Sequence, residues 1–587
     1  MPKYVAPLED IQFVLHDCLN ITQHYQELGY EDAADESLVN AILEESAKFA
    51  SEVISPLNYP GDEQGCKLEN GKVKTPDGFA EAYQQYCEAG WSSLASQTEY
   101  GGQGLPHSLA VVTAEMTSAA NTSWSMYPGL THGAINALSH HGSDELKDRY
   151  LPKLISGEWT GTMCLTESHC GSDLGMLRSK AVPQEDGSYL ISGTKIFISA
   201  GEHDMSKNII HLVLARLPDA PEGSAGISLF VVPKILNVEA ANGETDNHVT
   251  CSAIEHKMGI KASATCVINF EESKGYLVGP PNKGLACMFT MMNSARLATS
   301  VQGYAIAELS RQGSLEYAKD RIQMRSLSGP KAPEKAADPI IVHPDVKRML
   351  FTQKALIEGN RGLAYYVASL VDTVESGKDN GEVEKRLGLL TPICKAFMTE
   401  TGFESTNHAV QVLGGHGFIC ESEIEQQVRD CRITLIYEGT NGIQALDFLG
   451  RKVLRDKGEA LVSWVTDIKT QASQVNESIA NYGEKLNSLC DEWLGLTQQI
   501  GAMAMKDPEE VGASAFDFMM YSGYLSVAHI LLQQANTVEN SDRSDSFKKA
   551  KMQTLAFYFA RILPRIKSHK ANMLSGNAVL NCEEFEY

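Results

Sequence analysis

Gly193-Thr194-Lys195-Ile196-Phe197-Ile198-Ser199-Ala200-Gly201 alternates side chains across a strand and sets Phe197 and Ser199 on one face. On that face an aromatic could cover a ring ligand while a hydroxyl bonds its edge, although a core Phe beside a satisfied Ser is the commoner use of such a pair. The stretch has company. Tyr189 to Ile198, Asn208 to Leu214, Gly226 to Val232 and Ala264 to Phe270 are short and β-branched or apolar, and Gly, Pro and Asp turns separate them. From Gly161 to about Pro281 the chain therefore reads as strands of a sheet or barrel.

Helical periodicity lies on both sides. Upstream, Ser37 to Val53 and Leu109 to Ala120 carry apolar residues at helical spacing, with Gly101, Gly102, Gly104 and Pro106 as a loop between them. Downstream of Lys283 the helical period returns at Leu297, Val301, Ala305 and Leu309, then over Asp345 to Val374 and Lys385 to Leu413. Pro330, Pro333, Pro339 and Pro344 mark Ser326 to Pro344 as an exposed loop, since each lacks the amide donor that a helix or ladder needs. Beyond Gly458, amphipathic stretches at Ala460 to Ala480, Leu486 to Ala504, Ala515 to Gln534 and Phe547 to Met573 read as an appended helical unit. The expected class is α+β, mostly α, in four domains: 1–160 helical, 161–281 β, 282–457 helical and 458–587 helical. A β-domain between helical layers is not a doubly wound nucleotide fold, and the chain has no GxGxxG after a strand and no GxxxxGK[ST]. It also lacks an HExxH helix and a GxSxG elbow.

Composition narrows the function classes. The 587 residues include 50 Lys and Arg against 74 Asp and Glu, a net charge of −24. With no Lys/Arg-rich run, a nucleic-acid binder or a polybasic membrane anchor is a poor fit. The 13 cysteines contain no CxxC pair, which indicates neither a zinc ribbon nor a disulfide framework. Residues 1–30 hold one Lys, no Arg and several acids, which argues against secretory and mitochondrial leaders and for a cytoplasmic, bacterial protein. No apolar run reaches the ~20 residues a membrane span needs.

Three further motifs stand beside the opening strand. Met163-Cys164-Leu165-Thr166-Glu167-Ser168-His169-Cys170-Gly171-Ser172-Asp173 offers hydroxyls and free amides at a strand end, suited to a phosphate or heteroaromatic edge but equally to a plain turn. Gln411-Val412-Leu413-Gly414-Gly415-His416-Gly417-Phe418 permits close backbone approach to a ligand, and a helix stop explains its glycines equally well. In Ile436-Tyr437-Glu438-Gly439-Thr440-Asn441-Gly442 a carboxylate sits where its neighbours can partly desolvate it, a candidate base whose alternative is a solvated loop Glu.

In combination these motifs resemble the acyl-CoA dehydrogenase family, and within it the long branch that includes the 3-methylmercaptopropionyl-CoA dehydrogenases. The resemblance extends to Lys257-Met258-Gly259-Ile260-Lys261-Ala262-Ser263-Ala264-Thr265, Asn293-Ser294-Ala295-Arg296, Tyr317-Ala318-Lys319-Asp320-Arg321-Ile322-Gln323 and Val428-Arg429-Asp430-Cys431-Arg432-Ile433, and covers about residues 35–455. It implies FAD as cofactor, with Thr166 on the flavin's pyrimidine edge, Ser172 on its pyrophosphate, Phe197 on the isoalloxazine where relatives carry Trp, and Ser199 near N5 where they carry Thr. Arg321 matches an arginine that reaches the FAD of a neighbouring subunit, and Gln411 and Gly415 match a segment near its adenosine half. Thr440 is carried over as a further cofactor contact. A shared site implies a homodimer or higher homo-oligomer. Gly442 stands where many members place a Gln.

Glu438 matches the catalytic base, while the alternative base position is Ala295, which accepts no proton. The implied reaction is α,β-dehydrogenation of an acyl-CoA to the trans-2-enoyl-CoA, with electrons passing to electron-transfer flavoprotein. Tyr437 and Gly439 would flank the thioester and Arg296 would help order the base. Three rivals stand beside it: an acyl-CoA oxidase using dioxygen, a binding protein without turnover, and a membrane- or partner-binding role for the C-terminal helices. The acyl chain is not legible; Trp124 to Thr131 is a candidate pocket wall.

Overall fold

A computed structural model describes residues 3–238 and 245–581. Its contacts divide the chain into two compact units: Lys48–Leu105 with Ala120–Ala298, and Met1–Ala47 with Pro106–Ala119 and Thr299–Tyr587.

The first of these holds the strands. A hairpin pairs β1 (Lys67–Glu69) with β2 (Lys72–Lys74), and seven further strands form one sheet among the described residues: β3 (Trp159–Cys164), β4 (Lys180–Pro183), β5 (Tyr189–Ser199), β6 (Asn208–Arg216), β7 (Ile227–Pro233), β8 (Val249–Ile254) and β9 (Thr265–Val278). The pairings β6–β4, β4–β5, β5–β9, β9–β7 and β7–β6 close a ring, flanked by β3 on β6 and β8 on β9. Closure explains why β6 and β7 read as continuous apolar runs. Val213, Ala215, Phe230 and Val232 fill the interior with Ile191, Ile198 and Ile268, whereas Ile210, Leu212, Leu214, Leu229 and Val231 face outward onto Leu138, Leu151, Leu154, Met288 and Met291 of three helices. Both faces are buried, so alternation in direction leaves no alternation in polarity.

The second unit is helical. Pro344–Glu375 and Glu382–Leu413 form a bundle with the long helix Glu509–Glu539, which approaches so closely that a Cβ on Gly523 would lie 2.3 Å from the Phe397 ring. A buried ionic cluster ties its parts together. Arg361 meets Asp10 (2.6 Å), Glu115 (2.8 Å) and Glu308 (3.3 Å), and Lys551 contacts Asp10 and, at 3.1 Å, Glu358.

Several expectations need correction. The helix expected over Ala460 to Ala480 ends at Ala472, and a new one starts at Ala480. The returning helix crosses so near that a Cβ on Gly483 would lie 2.2 Å from the Ala472 carbonyl, and Asn476 turns the chain by bonding Asn536. The stretch Phe547 to Met573 breaks at Leu563–Arg565, where Pro564 supplies no amide donor. Ser326 to Pro344 is the largely exposed loop expected, and it wraps a fully buried carboxylate, Asp338, which accepts from the amides of Ser326, Lys331 and Ala332 and from Arg325. Helix Glu509–Glu539 is long and apolar enough to cross a membrane, contrary to the expectation, but 89% of its apolar stretch is buried inside the protein.

Candidate active site

A β-bulge decides the geometry at Phe197. In the β5–β9 pairing Lys195 opposes Ile268 but Ile198 opposes Cys266, so one extra residue of β5 is accommodated between them. Lys195 and Ile198 thereby both point to the buried side, and Phe197 stands 59% exposed with a left-handed φ of 58°. A bulky side chain seldom adopts that backbone, which costs roughly 1–2 kcal/mol, and such outliers gather at functional sites. Ser199 flanks it, half-buried, opposite Thr265.

Thr166 is brought to the same place. Its carbonyl accepts the Ile196 amide (2.9 Å), which joins the loop after β3 to the bulge. Behind it, Lys195 Nζ donates to Glu167 Oε1 (2.9 Å) and to the Leu165 carbonyl (3.0 Å) with its side chain fully buried. Glu167 Oε1 also accepts from the Ser179 amide (3.0 Å) and hydroxyl (2.6 Å), and Oε2 from the Arg178 amide (2.8 Å). Burial alone would raise the Glu167 pKa, yet Lys195 and these donors hold it at about 2; burial pulls Lys195 down against the same partner. Ser172 lies exposed on the turn beyond, whose Gly171 approaches the Thr166 methyl.

Glu167, His169 and Cys170 present ligand atoms within 4.8 Å of one another. The Lys195 ammonium already paired with Glu167 makes that trio a poor cation site. In the same unit Arg296 is buried on the helix Gly284–Asp320, its guanidinium 5.9 Å from the Phe289 ring centroid. Trp124 is not a pocket wall: it is fully buried, bonds the Phe79 carbonyl (3.2 Å) and packs on Phe49 and Tyr86.

The other unit carries Glu438. It lies between the short helical turn Ile433–Leu435 and the helix Asn441–Leu446, with φ 56°, followed by Gly439 at φ 82°. Two successive left-handed residues do not hold themselves. Gln444 Nε2 donates to the Glu438 carbonyl (3.0 Å), and Lys395 Nζ donates to the Gly439 carbonyl (2.6 Å). Tyr437 donates its hydroxyl to Gln302, and burial and then the Glu438 charge push its pKa up. The Thr440 hydroxyl caps the next helix by accepting from the Ile443 amide (3.3 Å), which leaves its own proton available to a ligand.

Arg321, Gln411 and Gly415 are exposed, and Gly415 faces open space. A hydrogen bond from Tyr317 to His416 Nδ1 (3.1 Å) draws the last turn of the helix Gly284–Asp320 to the glycine turn, so Arg321 and Gly415 share a surface. Phe418 beside them is 84% exposed.

Sequence reasoning passed over Glu167, Lys195 and Lys395. Its available signal was a charge at a core-facing strand position, and a lysine within the apolar run from Leu389 to Met398. Either needs a buried partner, so either marks a built contact.

The chain matches four family models: "Acyl-CoA dehydrogenase, N-terminal domain" over residues 39–158, the middle domain over 162–273, the C-terminal domain over 282–454, and "Acetyl-CoA dehydrogenase C-terminal like" over 464–581. It is 42% identical to the 3-methylmercaptopropionyl-CoA dehydrogenase of Ruegeria pomeroyi, across 95% of this chain and 96% of that protein. A butyryl-CoA dehydrogenase of Syntrophomonas wolfei is 35% identical over 96% of each. Among solved structures, Caenorhabditis elegans ACDH-11 in complex with C11-CoA shares the fold with a TM-score of 0.79 at 18% identity, covering 100% of this chain and 96% of that one. An acyl-CoA dehydrogenase from Bacillus anthracis complexed with FAD gives a TM-score of 0.75 at 22% identity over 92% and 88% of the two chains.

Proposed function

Because this chain belongs to the acyl-CoA dehydrogenase family of FAD-dependent enzymes, we propose that it desaturates an acyl-CoA thioester between Cα and Cβ, with Glu438 as the base that takes the α-proton. The observation that carries this reading is the posture of Glu438: a carboxylate on a left-handed residue whose own and following carbonyls are each gripped by a side chain. Such strain persists only where the surroundings over-determine it. A fixed carboxylate removes a weakly acidic proton better than one that must first find its geometry.

The cofactor residues fit a flavin. Phe197 offers an exposed aromatic face, Thr166 and Ser199 offer hydroxyls close to it, and Ser172 with its turn offers donors to a pyrophosphate. When bound, FAD supplies the hydride acceptor, a chemistry that no side chain here provides. By the family resemblance Tyr437 and Gly439 would flank the thioester, Thr440 would donate to the cofactor, and Arg296 would help order the base. Arg321, Gln411 and Gly415 serve the FAD of a neighbouring subunit, which makes the enzyme a homodimer or larger; the exposed Phe418 beside them supports a partner surface there.

Electrons leave to electron-transfer flavoprotein. The relatives named for 3-methylmercaptopropionyl-CoA and butyryl-CoA support a short acyl chain, plain or thioether-containing. The bacterial cytoplasm suits the cysteines, which are all unbridged among the described residues.

Anaerobic titration of the holoenzyme with acyl-CoAs of graded length and sulfur content tests this reading. Bleaching of the visible flavin band by a short acyl-CoA is expected; a band that no thioester bleaches overturns it. Rapid oxygen consumption during turnover would instead identify an oxidase.

A further inference from the structure

Lys395 has no solvent exposure and stands in the middle of the helix Glu382–Leu413, among Ile393, Cys394, Phe397 and Met398, all fully buried. A buried ammonium loses its hydration, so the groups that accept its protons must be worth that loss. Two of those acceptors belong to the segment just after Glu438: the Gly439 carbonyl at 2.6 Å and Asn441 Oδ1 at 2.8 Å. Asn441 is itself locked to the same helix. Its Nδ2 donates to Glu400 Oε1 (3.0 Å) and Thr399 Oγ1 (3.0 Å), and Asn441 is buried.

The consequence runs back to Glu438. Residues 438 and 439 form neither helix nor ladder, so no regular hydrogen bond fixes their carbonyls. Gln444 restrains the Glu438 carbonyl from within the short helix Asn441–Leu446 that follows the loop. Lys395 is different, because it anchors the loop to a 32-residue helix of the bundle core. Without it, the peptide after Glu438 can rotate, and the carboxylate moves with it.

We propose that Lys395 is a positioning residue for the reaction: its buried ammonium grips the Gly439 carbonyl and Asn441, and thereby fixes the Glu438 backbone in the left-handed conformation that aims the carboxylate. The proposal rests on the assignment of Glu438 as the base.

The test compares Lys395→Met, which keeps length and removes charge and donors, with Glu438→Gln, both as FAD-loaded full-length enzyme turning over a short acyl-CoA that the wild type accepts. For K395M a fall in kcat of about a hundredfold is expected, the cost of a misplacement on the order of an ångström. KM should stay within threefold and flavin content should be unchanged. A merely structural lysine would lower flavin content and folded fraction together and leave kcat per bound flavin unchanged. K395M with kcat within twofold of wild type, or with activity lost only in proportion to FAD, overturns the proposal.

If K395M does not accumulate as holoenzyme, Asn441→Ala removes one acceptor and leaves the lysine. A fall of about tenfold in kcat at unchanged flavin content is then expected, being part of the full effect, and an unchanged kcat overturns the proposal. The two assignments fail separately. An active E438Q defeats the base whatever K395M does, whereas an inactive E438Q beside a fully active K395M defeats only the role of Lys395.

Discussion

Lys195 Nζ lies 2.9 Å from Glu167 Oε1, and neither side chain reaches solvent appreciably. The pair joins the strand that carries Phe197 and Ser199 to the loop that carries Thr166. Replacing Lys195 by Met leaves a buried carboxylate with hydrogen bonds but no countercharge, a change that costs about 3 kcal/mol or more. K195M should therefore unfold at markedly lower urea at pH 7, and the double variant K195M/E167Q should regain part of the loss because no unpaired charge remains. The sign with pH also follows. Glu167 titrates at about 2 when folded, below its ordinary value near 4.5, so its stabilisation is full above 4.5 and is lost as pH falls toward 2. In K195M that loss begins at higher pH. Equal stability of wild type and K195M at pH 7 would contradict this account.

Phe197 separates cofactor binding from folding. Its side chain is largely exposed and its φ is 58°, so the fold gains little from the ring and bears the backbone strain. Phe197→Gly should relieve that strain and raise the thermal midpoint of the apoprotein or leave it unchanged, while FAD affinity, measured by ultrafiltration, falls about tenfold through loss of aromatic stacking. Phe197→Trp should retain FAD. A glycine variant that binds FAD as wild type does would remove Phe197 from the cofactor site.

The fold class was legible because two hydrophobic periods occur in blocks: β-type spacing from Tyr189 to Phe270, with helical spacing before and after. What escaped was set by long-range contacts. β4 and β8 were not distinguished, and of β3 only the strand end at Met163 was legible, since Trp159–Cys164 is a strand by virtue of parallel pairing with Asn208–Val213. The breaks at Ala472 and Pro564 lie inside patterns that are periodic on either side, and a crossing helix decides the first of them. Within the candidate site, hydroxyls, glycines and Glu438 could be named from motif order. The buried lysines could not, because a lysine's partner lies far away in sequence: 28 residues for Lys195 and 44 for Lys395.

Two buried histidines of the strand-bearing unit set a pH dependence. His203 donates to Thr160 (2.9 Å) and accepts the Met205 amide (3.1 Å), with Tyr127 packed on its ring; His211 bonds Thr162 (2.7 Å) and meets Phe270. Burial first, and then the Lys234 charge, hold both near a pKa of 3. The unfolded chain takes up protons below about 6.5 while the folded one does not, so stability is full above 6.5 and declines as pH falls. Two such groups give a limiting slope of about 2.7 kcal/mol per pH unit. Urea midpoints measured from pH 7 to pH 4 should show this fall, and His211→Gln should remove about half of that slope. A slope unchanged in H211Q would assign the acid lability elsewhere.

Lys551, from the helix Asp545–Phe557 near the C-terminus, is buried against Asp10 and Glu358, while Asp10 also faces Arg361. The C-terminal helices therefore supply a charge that the N-terminal residues and the bundle need. Lys551→Met leaves Asp10 and Glu358 sharing the remaining cations, and should cost about 3 kcal/mol or more. Removal of residues 458–587 does more. It takes away that ammonium and also the helix Glu509–Glu539, whose Gly523 seats against Phe397, exposing a broad apolar face of the bundle. The shortened chain should be recovered only in aggregated form, whereas K551M should remain folded with a lower thermal midpoint. A soluble, cooperatively unfolding chain ending at residue 457 would show that the bundle does not depend on the appended helices.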